Sequence, residues 1–235
     1  MRASGTRVNN DRSEAQTIAD GGNEFLDSLE KGECEMEFLN QFFSIFLSAD
    51  GRLLLLIQEY VRQDWLTPFM TWITGLGDHG LIWIIIGVLL LIPKKTRRTG
   101  LLSLLSLLCA HLLCNMVLKD YVMRIRPYEV IDGLHCLIER PTDYSFPSGH
   151  TMTAFAAAVV IFKNRPRRLG VPVMALAFVI AFSLLYVGVH YPSDVIIGGL
   201  LGTLIAMIFF WIFGDKKYKR IEKQRRRRRR RRLLG

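Results

Sequence analysis

Three short runs of this chain carry side chains that could do chemistry together. In the first, Pro147, Ser148, Gly149 and His150 stand directly before the apolar stretch Thr151 to Phe162, so Ser148 is a natural N-cap for a helix that starts at a membrane boundary. A helix N-terminus with a small hydroxyl, a glycine that lets the backbone come close and an adjoining histidine suits an anion such as phosphate. In the second, His190 is followed by Pro192, which fits the first turn of a helix, and by Asp194, near enough to hold one ring nitrogen. A lone histidine at a membrane interface is more often packing. A histidine with a carboxylate beside it, facing a second histidine and two cations, is a candidate for a neutral imidazole nucleophile. In the third, Arg126 lies seven residues after Lys119, two helical turns along and therefore on the same helix face. Lys119 alone would read as a residue snorkelling to lipid headgroups. With Arg126 it reads as a phosphate clamp, because arginine supplies a planar fork and lysine a point charge. His79, His111 and His135 read as structural.

The elements that must position these residues are membrane helices. Half of the 235 residues are hydrophobic and the formal charge is +10, but the apolar runs carry almost no charge and the basic residues cluster between them. That segregation marks a polytopic, all-α transmembrane bundle rather than a basic soluble domain. Clear spans are expected over residues 77–92, 101–118, 151–162, 171–189 and 195–213. Several are shorter than the ~20 residues of a perpendicular span, so polar residues at their ends belong at the membrane boundary. Residues 38–60 are apolar but broken by Asp50, Gly51 and Arg52, costly at mid-bilayer, and read as one poor span or two interfacial pieces. The total is five to six spans. Trp65, Phe69 and Trp72 are spaced like interface anchors, or equally like packing residues, and Gly198, Gly199 and Gly202 suit close helix packing.

Basic clusters at 94–98, 163–168 and 215–220 fall at alternate span ends, which places them and the C-terminus in the cytoplasm by the positive-inside rule. The opposite ends carry Lys119, Arg126, Ser148, Gly149, His150, His190 and Asp194. The expectation is therefore an integral membrane protein with an extracytoplasmic site. Flanking the domain at 38–214 are a polar head, residues 1–37, with too little apolar surface to fold alone, and a basic tail, residues 215–235. Arg225 to Arg232 could dock on anionic lipid, or simply reinforce orientation as a solvated tail; no nucleic-acid partner is expected. The four cysteines form no disulfide framework or zinc motif. A transporter is disfavoured because His111 is the one ionisable residue deep in a clear span.

Taken together, the runs resemble the type 2 phosphatidic acid phosphatase (PAP2) superfamily, which includes undecaprenyl-diphosphate and lipid phosphate phosphatases. Lys119 with six residues before Arg126 and Pro127 is similar to the first family motif. Pro147, Ser148, Gly149 and His150 match the second intact. The third, Ser-Arg, five residues, His, three residues, Asp, reads here from Ser183 and Leu184 to His190 and Asp194, with leucine in place of arginine. The resemblance covers about residues 52 to 213 and implies a metal-independent, cofactor-free phosphatase. It implies that His190 attacks phosphorus to form a phosphohistidine, with Asp194 orienting it. His150 would protonate the leaving oxygen and then activate water. Lys119, Arg126, the Ser148 hydroxyl and the Gly149 amide would hold the phosphoryl oxygens. The resemblance also implies a clamp lacking one cation at Leu184. The substrate expected first is undecaprenyl diphosphate, with phosphatidic acid and phosphatidylglycerol phosphate as alternatives. The rival is a weakened protein that only binds lipid phosphates.

Overall fold

The computed structural model describes residues 49–213. The polar head at 1–37 and the basic tail with Arg225 to Arg232 lie outside the described residues. Helix α1 covers residues 49–56 and passes into a π turn, Ile57–Val61. It is followed by α2 (Thr67–Leu76), a 3-10 turn (Asp78–Gly80), α3 (Leu81–Leu91) and α4 (Arg97–Leu113). A second π turn, Cys114–Leu118, joins α4 to the short α5 (Lys119–Val122), and α6 (Pro127–Val130) follows. The remaining helices are α7 (Gly149–Asn164), α8 (Arg167–Tyr186) and α9 (Pro192–Phe213). The described residues contain no strand.

Three helical segments are long and apolar enough to cross a membrane: Arg97–Val130, Arg167–Tyr186 and Pro192–Phe213. A fourth is reached if α2 and α3, bent by 56° about Asp78, form one broken span. At 16 residues α7 is shorter than these, yet it is the centre of the bundle, packed on α4, α8 and α9 and buried at nearly every position from Thr151 to Ile161. Its small residues make this possible. Ala154, Ala156, Ala157 and Ala158 let three neighbours approach, and Ser103 and Ser106 of α4 donate across to the Ala157 and Ala156 carbonyls at 3.3 and 3.1 Å. On the other side α9 comes so close that a Cβ at Gly202 would lie 2.2 Å from the Met152 carbonyl oxygen, and one at Gly198 would lie 2.8 Å from that of Ser148. The glycine expectation therefore holds at Gly198 and Gly202; at Gly199 a Cβ would make only ordinary contacts.

The outer surface is apolar, as lipid requires. Trp65, Phe69 and Trp72 are exposed around α2, while Met70, Ile73 and Thr74 face the interior. Asp50, anomalous in an apolar run, is buried and paired: Arg124 lies 2.9 Å from it. One expectation is corrected here. The helix does not continue from Lys119 to Arg126, because Met123 adopts a left-handed conformation (φ 49°) and ends α5, so no shared helix face relates the two cations.

Candidate active site

His190 stands in the tight connection between α8 and α9. The end of α8 is closed by two backbone bonds, Gly188 N–H to Leu185 O and Val189 N–H to Leu184 O, both 3.2 Å, with Gly188 at φ 80°. This is a Schellman cap, and its usual apolar contact is present: Leu184 and Val189 belong to one buried cluster with Met70, Tyr128 and Tyr186. A side chain at Gly188 would be strained and would meet Arg62 at 2.8 Å. Leu184 thus helps build the turn that delivers His190, and its side chain is enclosed by protein rather than turned to a phosphoryl site.

Asp194 lies in the first turn of α9, where its carboxylate accepts the Tyr191 backbone N–H at 3.0 Å, half of a capping box. The same carboxylate is 3.6 Å from Nδ1 of His190, accepts from the Ser145 hydroxyl and pairs with Arg124. Arg124 also donates to Ser193 Oγ at 2.7 Å and lies 3.9 Å above the Tyr191 ring. Two buried carboxylates, Asp50 and Asp194, therefore share one guanidinium. His190 is almost wholly buried. Burial pushes its imidazole down to about 4, against the opposing pull of Asp194, so the ring is neutral at neutral pH.

The Ser148 hydroxyl caps α7, accepting the Thr151 N–H at 3.5 Å and lying 3.0 Å from the Thr151 hydroxyl, and Ser148 is fully buried. Gly149 and His150 follow at the wall of a cavity of about 790 Å³, which Asp78, His111, Asn115, Lys119, Arg140 and Asp143 also line. His150 Nε2 is 2.9 Å from Asp78 Oδ1. Lys119 and Arg126 converge in spite of the broken helix, because both hold Asp143: Lys119 Nζ pairs with Oδ2, and Arg126 Nη2 lies 2.6 Å from Oδ1. Partial burial raises the Asp143 carboxyl, but Lys119 and then Arg126 outweigh it and hold it at about 2. Arg126 is fixed further by the Val189 carbonyl at 2.8 Å, one residue before His190.

The structure thus brings Lys119, Gly149 and His150 to one cavity, with Asp143 linking Lys119 on its wall to Arg126. Ser148, Arg126, His190 and Asp194 are not among the lining residues. Asp78 and Asp143 escaped the sequence reading, and Arg124 escaped it as the partner of Asp50 and Asp194. His111, read as structural, lies on the wall with its ring 3.1 Å from Asn115 Nδ2. The only signal in the sequence was Asp50, a charge in an apolar run that demands a partner without saying which. The described residues hold no group of three or more His, Cys, Asp or Glu side chains suited to a metal.

Residues 100–218 match the PAP2 superfamily. The chain is 35% identical over 166 residues to an undecaprenyl-diphosphatase of Sulfolobus acidocaldarius, covering 70% of this chain and 79% of that one. It is 35% identical over 179 residues to phosphatidylglycerophosphatase B of Bacillus subtilis, covering 70% and 82%. The crystal structure of a transmembrane PAP2-type phosphatidylglycerolphosphate phosphatase from Bacillus subtilis superposes with a TM-score of 0.59 at 31% identity, over 75% of this chain and 94% of that one. The structure of Aquifex aeolicus LpxE does so with 0.56 at 27%, over 68% and 93%. With a family match over half its length, relatives aligned along most of theirs, and the motif histidines and cations gathered at one end of the bundle, the chain belongs to the PAP2 superfamily.

Proposed function

We propose that this protein is a membrane phosphatase that hydrolyses a lipid phosphate or polyprenyl diphosphate through a phosphohistidine, with undecaprenyl diphosphate as the first substrate to test. Relatives named undecaprenyl-diphosphatase and phosphatidylglycerophosphatase B support the substrate class. The observation that carries the reading is the convergence of Lys119 and Arg126 on one anion, beside His150 and one residue from the turn that holds a neutral His190. His190 Nε2 attacks phosphorus as the bond to the leaving oxygen breaks, and His150 gives that oxygen a proton. Asp194 faces Nδ1 and stabilises the positive charge that develops on the ring. In the second half, His150 takes a proton from water, which attacks phosphorus, and the P–N bond breaks to release phosphate and free His190. Lys119, Arg126 and the Gly149 amide stabilise the equatorial oxygens; Ser148 contributes by capping α7 and so fixing that amide.

In this reading α3, α4, α7, α8 and α9 are five spans, the segment 38–60, which runs partly outside the described residues, counts as the sixth, and the site is extracytoplasmic because the basic clusters at 94–98 and 163–168 stand at the opposite helix ends. The substrate tail stays in lipid while its headgroup enters the cavity. The alternative, a protein that binds lipid phosphates without turning them over, needs neither a nucleophile nor its carboxylate, and His190, His150 and Asp194 are all present. Purified protein given a panel of undecaprenyl diphosphate, phosphatidic acid and phosphatidylglycerol phosphate in excess EDTA should release inorganic phosphate, with acid-labile phosphate trapped on the protein. No release from any of them, or phosphate trapped in an acid-stable form, ends this reading. A cysteine placed between Glu139 and Tyr144 should react with an impermeant thiol reagent in intact cells; its protection would put the site in the cytoplasm.

A further inference from the structure

The seat in which the two cations would hold a phosphoryl group is filled by a side chain of the protein itself. Asp143 spans it with both carboxylate oxygens, one on Lys119 Nζ and one on Arg126 Nη2. A phosphoryl group offers oxygens to the same two donors, so the two anions exclude each other. The surroundings favour exchange over a fixed strut. The Asp143 side chain is half exposed, whereas those of Lys119 and Arg126 are 9% and 5% exposed, so the carboxylate can turn into water while the cations stay in place. Arg126 does not depend on the carboxylate for its position. Its Nε donates to the Asp143 backbone carbonyl and its Nη1 to that of Val189, both at 2.8 Å, which leaves Nη2 as the arm that changes partner. Asp143 also lies outside regular secondary structure, between α6 and α7, so its rotation disturbs no helix.

We propose that Asp143 is an internal competitor for the phosphate seat, so that every anion must displace it before binding the two cations. This rests on the reading of Lys119 and Arg126 as the phosphate clamp. A phosphodiester headgroup, such as those of ordinary bilayer lipids, carries one negative charge and gains little by replacing one carboxylate. A phosphomonoester or terminal diphosphate carries nearer two and gains more from the same two cations. The cost of displacing Asp143 is the same for both, so it holds the weakly bound diester headgroup below saturation while the more tightly held dianion still binds.

The test uses the full-length protein in detergent at fixed ionic strength, with inorganic phosphate and dimethyl phosphate as dianionic and monoanionic probes. Binding is read from the rise in unfolding temperature with probe concentration. Wild type should bind phosphate at least about tenfold more tightly than dimethyl phosphate. Asp143→Asn should tighten both by the same factor, lowering each half-saturating concentration about tenfold and leaving their ratio unchanged. Asp143→Ala does the same without an amide oxygen that could re-bridge the cations. Phosphate binding that is unchanged or weaker in both variants makes Asp143 a strut and overturns the proposal, as does tightening of one probe without the other. The two readings fail separately. A wild type that hydrolyses no lipid phosphate, with variants that tighten as stated, removes the phosphatase and keeps the competitor. Hydrolysis with no tightening does the reverse.

Discussion

His150 on α7 and Asp78 in the turn before α3 stand 2.9 Å apart, Nε2 to carboxylate oxygen, across 72 residues of sequence. The ring fits there because Gly77 has no side chain; a Cβ at Gly77 would lie 2.9 Å from His150 Cδ2. Asp78 is a positioning residue for the group assigned to proton transfer. Asp78→Asn should lower kcat about tenfold on a lipid phosphate with little change in KM, since general acid catalysis is worth about 10² to 10⁴ and only part of it depends on orientation. The loss should shrink on p-nitrophenyl phosphate, whose leaving group needs no proton. An equal loss on both substrates would show that Asp78 acts on the fold and not through His150.

The Asp50, Arg124 and Asp194 cluster should respond asymmetrically. Removing its one cation leaves two carboxylates buried at 5% and 0% exposure, so Arg124→Met should cost about 3–5 kcal/mol of stability. Asp50→Asn keeps the Arg124–Asp194 pair and should cost less. Unfolding in detergent checks both, and an Arg124 variant within about 0.5 kcal/mol of wild type would mean the cluster is not a structural unit.

Leu184 occupies the motif position where the family has arginine, but it is 1% exposed and packs on Val189 beneath His190. Leu184→Arg should therefore destabilise the protein by several kcal/mol through burial of a charge and loss of the cap's apolar contact, without raising kcat/KM. Arg140 lines the cavity and stacks 5.5 Å over Tyr128 of the same cluster. Arg140→Ala should raise KM about tenfold if it supplies the charge that Leu184 lacks, in keeping with a charged hydrogen bond of about 1.5–3 kcal/mol. A faster Leu184→Arg enzyme and an unchanged Arg140→Ala enzyme would reverse this assignment.

Burial of His190 makes a prediction about pH. Its folded value of about 4 lies below the 6.5 expected of an unfolded histidine, so the unfolded chain binds the proton more readily. The contribution to stability is full above 6.5 and is lost as pH falls from 6.5 toward 4, by up to about 3 kcal/mol. His190→Asn cannot titrate, so the stability difference between wild type and this variant should move against wild type across that window. A difference that stays flat from pH 7 to 4.5 would show that His190 is not buried as a neutral ring.

The residues proposed to carry the chemistry could be picked out in the sequence because their signals are local. An N-cap such as Ser148, a proline in the first turn of α9, and apolar runs ending at His150 and His190 all depend on neighbours in the chain. The helical class and the alternation of basic clusters followed from composition for the same reason. The partners of those residues were not legible. Asp78 reaches His150 across 72 positions, Asp143 reaches Lys119 across 24, and Arg124 reaches Asp50 and Asp194 across 74 and 70. A buried charge announces that it needs an opposite charge, but several were available to each, and only the packing of α9 against α7 and the folding of the loops decided among them. Helix continuity failed as a guide for the same reason. Spacing alone put Lys119 and Arg126 on one helix face, whereas the left-handed Met123 broke that helix and the two cations met instead through the tertiary position of Asp143.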